Sequence, residues 1–159
     1  MESKLKKKFS NILVFGISGL LGKCLIDFYQ YHKGFKIHAV INKKKINNKN
    51  LKFLNYNKKN LNKNYVKNNC IDTIINFAAL TNLEFCEKNK KLSKKSNYNL
   101  PVSLAKFSKE NNLKYIFIST DNFKSKNKKL SENSKTNSLN IYSKHKKKSE
   151  YKILKMNQT

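Results

Sequence analysis

The sequence contains no arginine and no tryptophan, one proline, four glycines, three cysteines and nine acidic residues in 159 positions. Each shortage excludes something. Arginine is the residue best suited to bidentate contacts with phosphates and base edges. Its absence argues against specific nucleic-acid recognition, although 35 lysines against nine acids leave a net charge of +26. Such a charge predicts weak, salt-sensitive attraction to phosphate polymers and no specific nucleic-acid partner. Cys24, Cys70 and Cys86 are odd in number and form no C-x-x-C pair, which excludes a disulfide framework and a zinc or redox motif. They are expected to be reduced and mostly buried. No apolar run approaches the roughly 20 residues that a bilayer crossing needs, and residues 1–8 carry charge with no signal-type apolar stretch behind them. The expectation is a cytoplasmic protein with no membrane partner. The length suits one domain of ~100–150 residues and excludes a cofactor domain joined to a full substrate domain.

Lysine and asparagine fill 60 of the 159 positions, a compositional bias that makes the rarer residues informative. The lysines are spread along the chain, with runs at 6–8, 43–45 and 146–148. Behind a basic leader (1–10), Asn11-Ile12-Leu13-Val14-Phe15 is an apolar run ending at glycine, as a buried parallel strand does. Residues 23–32 then predict a helix with Leu25, Ile26 and Tyr29 on one side. Residues 35–41 predict a second strand, followed by a polar stretch over 42–50. Leu51, Phe53 and Leu54 suggest a short strand and residues 61–66 a short helix. The β-branched run at 72–79 predicts a central strand. Helices follow over 82–89 and 92–111, the second with a kink or fresh start near Asn97 because of Pro101. Residues 114–119 predict a strand, 122–140 a polar loop, and 141–155 a helix with lysines on its outer face. Strands alternating with helices imply right-handed crossovers and a doubly wound parallel α/β sheet with helices on both faces, in three layers. The expected organisation is one domain over 11–155 with a short tail, 156–159.

Three of the four glycines, Gly16, Gly19 and Gly22, fall within seven residues at a predicted strand-to-helix junction. That placement serves a dinucleotide: one glycine for the tight turn, one for close approach of the pyrophosphate, one for helix-on-sheet packing, with helix amides as donors. No Gly-Lys-Ser/Thr follows, so this is not a Walker loop. An acid ~20 residues on would hold the ribose of NAD. Asn42 and Lys43 stand there instead, followed by two more lysines, which favours the 2′-phosphate of NADP while leaving NAD open.

Tyr-x-x-x-Lys on a helix places a phenol and an ammonium one turn apart, where the cation favours the phenolate. The spacing occurs at Tyr29/Lys33, Tyr142/Lys146 and Tyr151/Lys155. Only Tyr142/Lys146 opens a helix that follows a strand ending in Ser119-Thr120-Asp121, and hydroxyls at the carboxyl end of a parallel strand face the ligand crevice. Thr120 would orient a substrate oxygen and Tyr142 would exchange its proton. His32, His38 and His145 have no ligand spacing, so no metal is expected; Asp121 is expected to cap a turn.

These residues together resemble the dTDP-4-dehydrorhamnose reductase family of extended short-chain dehydrogenases/reductases. The likeness runs from the glycine loop through Asp72-Thr73-Ile74-Ile75-Asn76-Phe77-Ala78-Ala79-Leu80, Cys86-Glu87, Asn97 ahead of Pro101, and Ile118-Ser119-Thr120-Asp121, to Tyr142, Lys146 and Glu150. It implies an NAD(P)-binding Rossmann fold, with Thr120, Tyr142 and Lys146 catalytic. The cofactor set it implies is Gly16, Ser18, Gly19, Leu20, Leu21 and Gly22 in the loop, Asn42 and Lys43 at the ribose, then Ala78, Ala79, Leu80, Asn97, Tyr142 and Lys146. The implied reaction is NADPH-dependent reduction of a 4-keto nucleotide-deoxysugar in polysaccharide biosynthesis. Related epimerases and dehydratases share these residues, and a non-catalytic nucleotide-binding module is the alternative from another class. Members of the family continue past the catalytic helix, so the resemblance also implies a truncated or split form, completed by a second chain or working as a homodimer. Asn122-Phe123-Lys124-Ser125 departs from the family's usual sequence after the threonine.

Overall fold

Runs of β-branched and aromatic residues set the sheet. The computed structural model describes residues 10–32, 34–41, 48, 51–55, 61–125, 134 and 136–157. Five strands, β1 (Ser10–Phe15), β2 (Phe35–Ile41), β3 (Lys52–Asn55), β4 (Thr73–Asn76) and β5 (Lys114–Phe117), lie in the order β3-β2-β1-β4-β5. Pairing is parallel between β1 and β2, β1 and β4, and β2 and β3. The order reverses between β1 and β4, the switch point at which doubly wound sheets take their ligands. This is the expected Rossmann-like α/β fold.

Residues up to Phe77, together with Asn111–Ile116, form one compact unit; Ala78–Glu110 and the residues from Phe117 onward form a second. In the first, Leu13, Val14, Ala39 and Ile74 are wholly buried. Helix α1 (Leu20–Tyr31) lays Leu25, Ile26 and Tyr29 against the core built from Ile12, Val14, Ile17, Ile37 and Ala39. That is the face the sequence predicts. Helix α1 begins three residues earlier than expected, at Leu20, because Gly19 serves as its N-cap. Helix α2 (Lys63–Asn68) starts on Asn62, whose side chain accepts from the Tyr65 amide. His38 is buried, with Nδ1 3.0 Å from the Tyr65 hydroxyl.

The second unit contains α3 (Leu83–Lys88), α4 (Lys90–Lys94), a π-turn (Lys95–Asn99), α5 (Leu100–Glu110), a hairpin of β6 (Phe123–Ser125) and β7 (Thr136–Ser138), and α6 (Ile141–Asn157). The single helix expected over 92–111 is therefore three pieces. Pro101 is the cause: it has no amide hydrogen to give the Asn97 carbonyl, and the Leu100 amide bonds five residues back, to Lys95. The hairpin replaces part of the expected loop; strands of three residues, one of them Thr-Asn-Ser, carry no readable alternation. Of the three thiols only Cys86 is buried, so the expectation for Cys24 and Cys70 is corrected: both sit at exposed positions, on α1 and after α2. Among the described residues no helix is long and apolar enough to cross a membrane.

Candidate functional site

The glycine loop closes β1 and starts α1. Gly16 has φ of 80°, the left-handed region that favours glycine, and its carbonyl accepts from the Gly19 amide at 3.0 Å. At Gly22 a Cβ would lie 2.3 Å from the Ile17 carbonyl oxygen, so only glycine lets the helix approach the strand end this closely. Gly19 gives no side-chain cap, and the first turn of α1 contains no acid. Ser18, Leu20 and Leu21 are exposed, Leu20 at 79%. A bare helix start with amides facing outward from a glycine turn is a donor set that fits a pyrophosphate. Asn42 and Lys43, expected at the ribose, lie outside the described residues, as does Lys33 of the rejected Tyr29/Lys33 pair.

In the second unit, Ala78, Ala79 and Leu80 are half-buried, and the structure joins Leu80 to Asn97. The buried Asn97 amide accepts from the Leu80 amide at 2.8 Å and donates to the Leu80 carbonyl at 2.9 Å. It thereby fixes the peptide of another residue in the expected cofactor set. Cys86 adds a thiol contact to the same carbonyl at 3.2 Å.

Helix α6 opens on a reciprocal cap. The Asn140 side chain accepts from the Ser143 amide at 2.8 Å, and the Ser143 hydroxyl lies 3.2 Å from the Asn140 amide that donates to it. Glu87 accepts from the Ile141 amide at 2.7 Å. Tyr142 is thus held in a fixed first turn, 9% exposed, and Lys146 follows one turn later at 3%. The Lys146 ammonium donates to the Ile118 carbonyl and sits 4.2 Å from the centre of the Phe117 ring. Burial lowers its pKa to about 8, with Glu150 pulling the other way. Thr120 is half-buried, and its oxygen accepts from the Asn122 amide at 3.1 Å, which leaves the hydroxyl proton free to donate. The structure therefore gathers Tyr142, Lys146 and the strand end at 118–120. Asp121 is exposed.

Sequence reasoning missed three contributors: Phe117 beneath the ammonium, the Ser119 hydroxyl donating to Glu150 at 2.9 Å, and the Asn140/Ser143 cap. The i,i+4 step from Lys146 to Glu150 and the Asn-x-x-Ser spacing were readable signals for the last two. His32 is exposed and stacks on Phe28, while His145 lies 2.9 Å from the Ser93 hydroxyl. Among the described residues no three His, Cys, Asp or Glu side chains gather as a metal site.

No curated protein sequence matches this chain. Solved structures do. A hypothetical dTDP-4-dehydrorhamnose reductase from Sulfolobus tokodaii is 25% identical over 89% of this chain and 51% of its own, with a TM-score of 0.74. A UDP-glucose 4-epimerase from Thermotoga maritima, solved with UDP-glucose, is 19% identical over 93% of this chain and 51% of its own, with a TM-score of 0.79. The Bordetella bronchiseptica enzyme WbmG, in complex with NAD and UDP, is 16% identical over 92% and 50%, with a TM-score of 0.75. The chain spans about half the length of these structures, and the latter two establish the shared fold alone. The family described as RmlD substrate binding domain matches residues 10–159, and this chain belongs to that family.

Proposed function

We propose that the chain binds a nicotinamide dinucleotide, NADP in preference to NAD, and supplies the proton-transfer groups for reducing the 4-keto group of a nucleotide-activated deoxysugar. One observation carries the reading: a buried lysine stands one turn from a buried tyrosine on α6, its ammonium anchored two residues before Thr120. A structural lysine would leave its charge in water, because burying it is costly unless the charge is used or paired.

The roles follow from the chemistry of each group. Gly16, Gly19 and Gly22, with the amides of Ser18, Leu20 and Leu21, would hold the pyrophosphate; Asn42 and Lys43 would take the ribose end. Ala78, Ala79 and Leu80, fixed by Asn97, would line the dinucleotide's path. Hydride is the chemistry the bound dinucleotide supplies. Thr120 donates a hydrogen bond to the substrate carbonyl oxygen, and Tyr142 gives that oxygen its proton as the carbonyl carbon is reduced to an alcohol. Lys146, charged below about pH 8, stabilises the phenolate left behind and contacts the nicotinamide ribose. Support for NADP is the absence of an acid at 42–45. The reading includes a second chain carrying the sugar-binding half, or pairing of two copies, which sizing with and without a nucleotide sugar tests.

The first test is a fluorescence titration of the chain with NADPH and NADH at moderate salt. Saturable binding, tighter for NADPH and lost in Gly19→Val, is expected. The Tyr142→Phe chain should keep that binding and lose turnover of a 4-keto sugar nucleotide, and turnover should fall as pH rises through about 8 and Lys146 loses its proton. A folded chain that binds neither dinucleotide would end this reading.

A further inference from the structure

Outside the expected cofactor and catalytic residues, the second unit carries a groove of about 420 Å³. Five of its eight lining residues are lysines: Lys90, Lys91 and Lys94 on α4, Lys144 and Lys148 on α6. The chain-wide share of 35 in 159 would place about two there. No acid lines the groove, and among the described residues none of the five forms an ion pair. Lys90 with Lys94, and Lys144 with Lys148, are like charges one helical turn apart, an arrangement that destabilises a helix. Lys144 also stands in the first turns of α6, where the helix dipole opposes a cation. The walls are fixed: Ser93 on α4 and His145 on α6 meet at 2.9 Å, and the Ser149 hydroxyl donates to the Asn97 carbonyl at 2.6 Å. Concentrated, uncompensated positive charge around a concave and anchored surface calls for a multivalent anion. His145 reports the same field, since burial and the charges of Lys148, Lys94 and Lys144 all lower its pKa.

We propose that this groove binds one oligophosphate, a short chain of phosphates that several lysines contact at once. A compact ligand suits the cavity better than a polymer, because the charge is gathered around one concavity and no arginine exists to read bases. The half-buried Tyr98 on the π-turn and Ile141 complete the lining, offering a ring to a nucleoside if the phosphates carry one. The site is independent of the dinucleotide reading.

The probes are inorganic tripolyphosphate and ATP, titrated calorimetrically at about 150 mM salt, where the Debye length is ~8 Å and diffuse attraction is largely screened. Saturable binding at one site per chain is expected, with the His145 ring signals moving toward the protonated form as the anion offsets the lysine field. The triple variant Lys94→Gln/Lys144→Gln/Lys148→Gln should bind about tenfold more weakly, whereas Lys23→Gln/Lys36→Gln/Lys67→Gln, equal in net charge, should change affinity less than about twofold. Gly19→Val should bind as the unaltered chain does, separating this site from the glycine loop. Tyr98→Leu weakening ATP alone identifies a nucleoside polyphosphate as the ligand; equal binding identifies the bare phosphate chain. Three results overturn the proposal: no saturation by either probe, equal weakening in both triple variants, or groove-dependent binding of a single-stranded RNA with neither small probe bound. The His145 shift, read on the unaltered chain, decides the question should the groove triple fail to fold.

Discussion

The two units bury different things. In the sheet unit the interior is apolar, with Leu13, Val14, Ala39 and Ile74 fully enclosed and only His38 and Asn76 as buried polar side chains. In the helical unit the buried polar residues are Ser93, Asn97, Ser108, Ser143, Lys146 and Ser149, beside an apolar set reduced to residues such as Cys86, Leu104, Ala105 and Ile153. The first is held by removal of hydrocarbon from water, which is non-directional and tolerant of small displacements. The second relies on hydrogen bonds with defined partners, which are modest when made and expensive when broken. An interior of that second kind fixes side chains at definite positions, as a proton-transfer site requires.

Substitutions can break this contrast or sharpen it. The largest effect is expected from Leu13→Ala, which opens a cavity in the middle strand and should cost about 2–5 kcal/mol by denaturant unfolding. Hydrogen exchange should show the loss in β1, β2 and β4. Asn97→Leu keeps the volume but strips both partners from the Leu80 peptide, and about 2–3 kcal/mol should be lost. A neutral result there would mean that the helical unit is held by hydrocarbon after all.

Next comes acid sensitivity. Burial, then Lys52 and Lys36, lower the pKa of His38 from 6.5 to about 4. Between those values the unfolded chain binds a proton that the folded chain does not, so stability falls as pH falls from 6.5 toward 4. Melting temperatures of the His38→Gln chain should show a flatter profile across that window. The smallest and sharpest comparison is between two wholly buried serines. Ser149 donates to the Asn97 carbonyl, while the Ser108 hydroxyl has no partner among the described residues. Ser149→Ala should cost about 1 kcal/mol, and Ser108→Ala should be neutral or stabilising. Equal effects would show that partners do not matter there.

The same division governs what the sequence discloses. Strands β1, β2 and β4 are readable because Ile, Leu and Val crowd into short runs that end at Gly16, at the polar stretch after Ile41 and at Asn76. The packing face of α1 follows from helical spacing. In the helical unit the pattern is weak, because serine, asparagine and lysine supply both the interior and the surface. Lys146 is legible only through its spacing from Tyr142 and the hydroxyls before it; composition alone would have left it among 35 equivalent cations. Cys24 and Cys70 mislead for the opposite reason, since a general preference of cysteine for interiors says nothing about the particular turn each occupies. The five lysines of the groove come from two segments some 50 positions apart, so their gathering is a property of the fold.

The π-turn at Lys95–Asn99 places one residue more in a turn than the α-helices on either side. That surplus sets phase. Removing any one residue between 95 and 99 would let the chain run on as ordinary α-helix, yet it would also turn everything before the deletion by about 100° relative to α5. Ser93 would swing away from His145, and α4 would aim its lysines in a new direction. The stretch therefore works as a counter: it tolerates many exchanges of side chain, but it has no tolerance for a change in number.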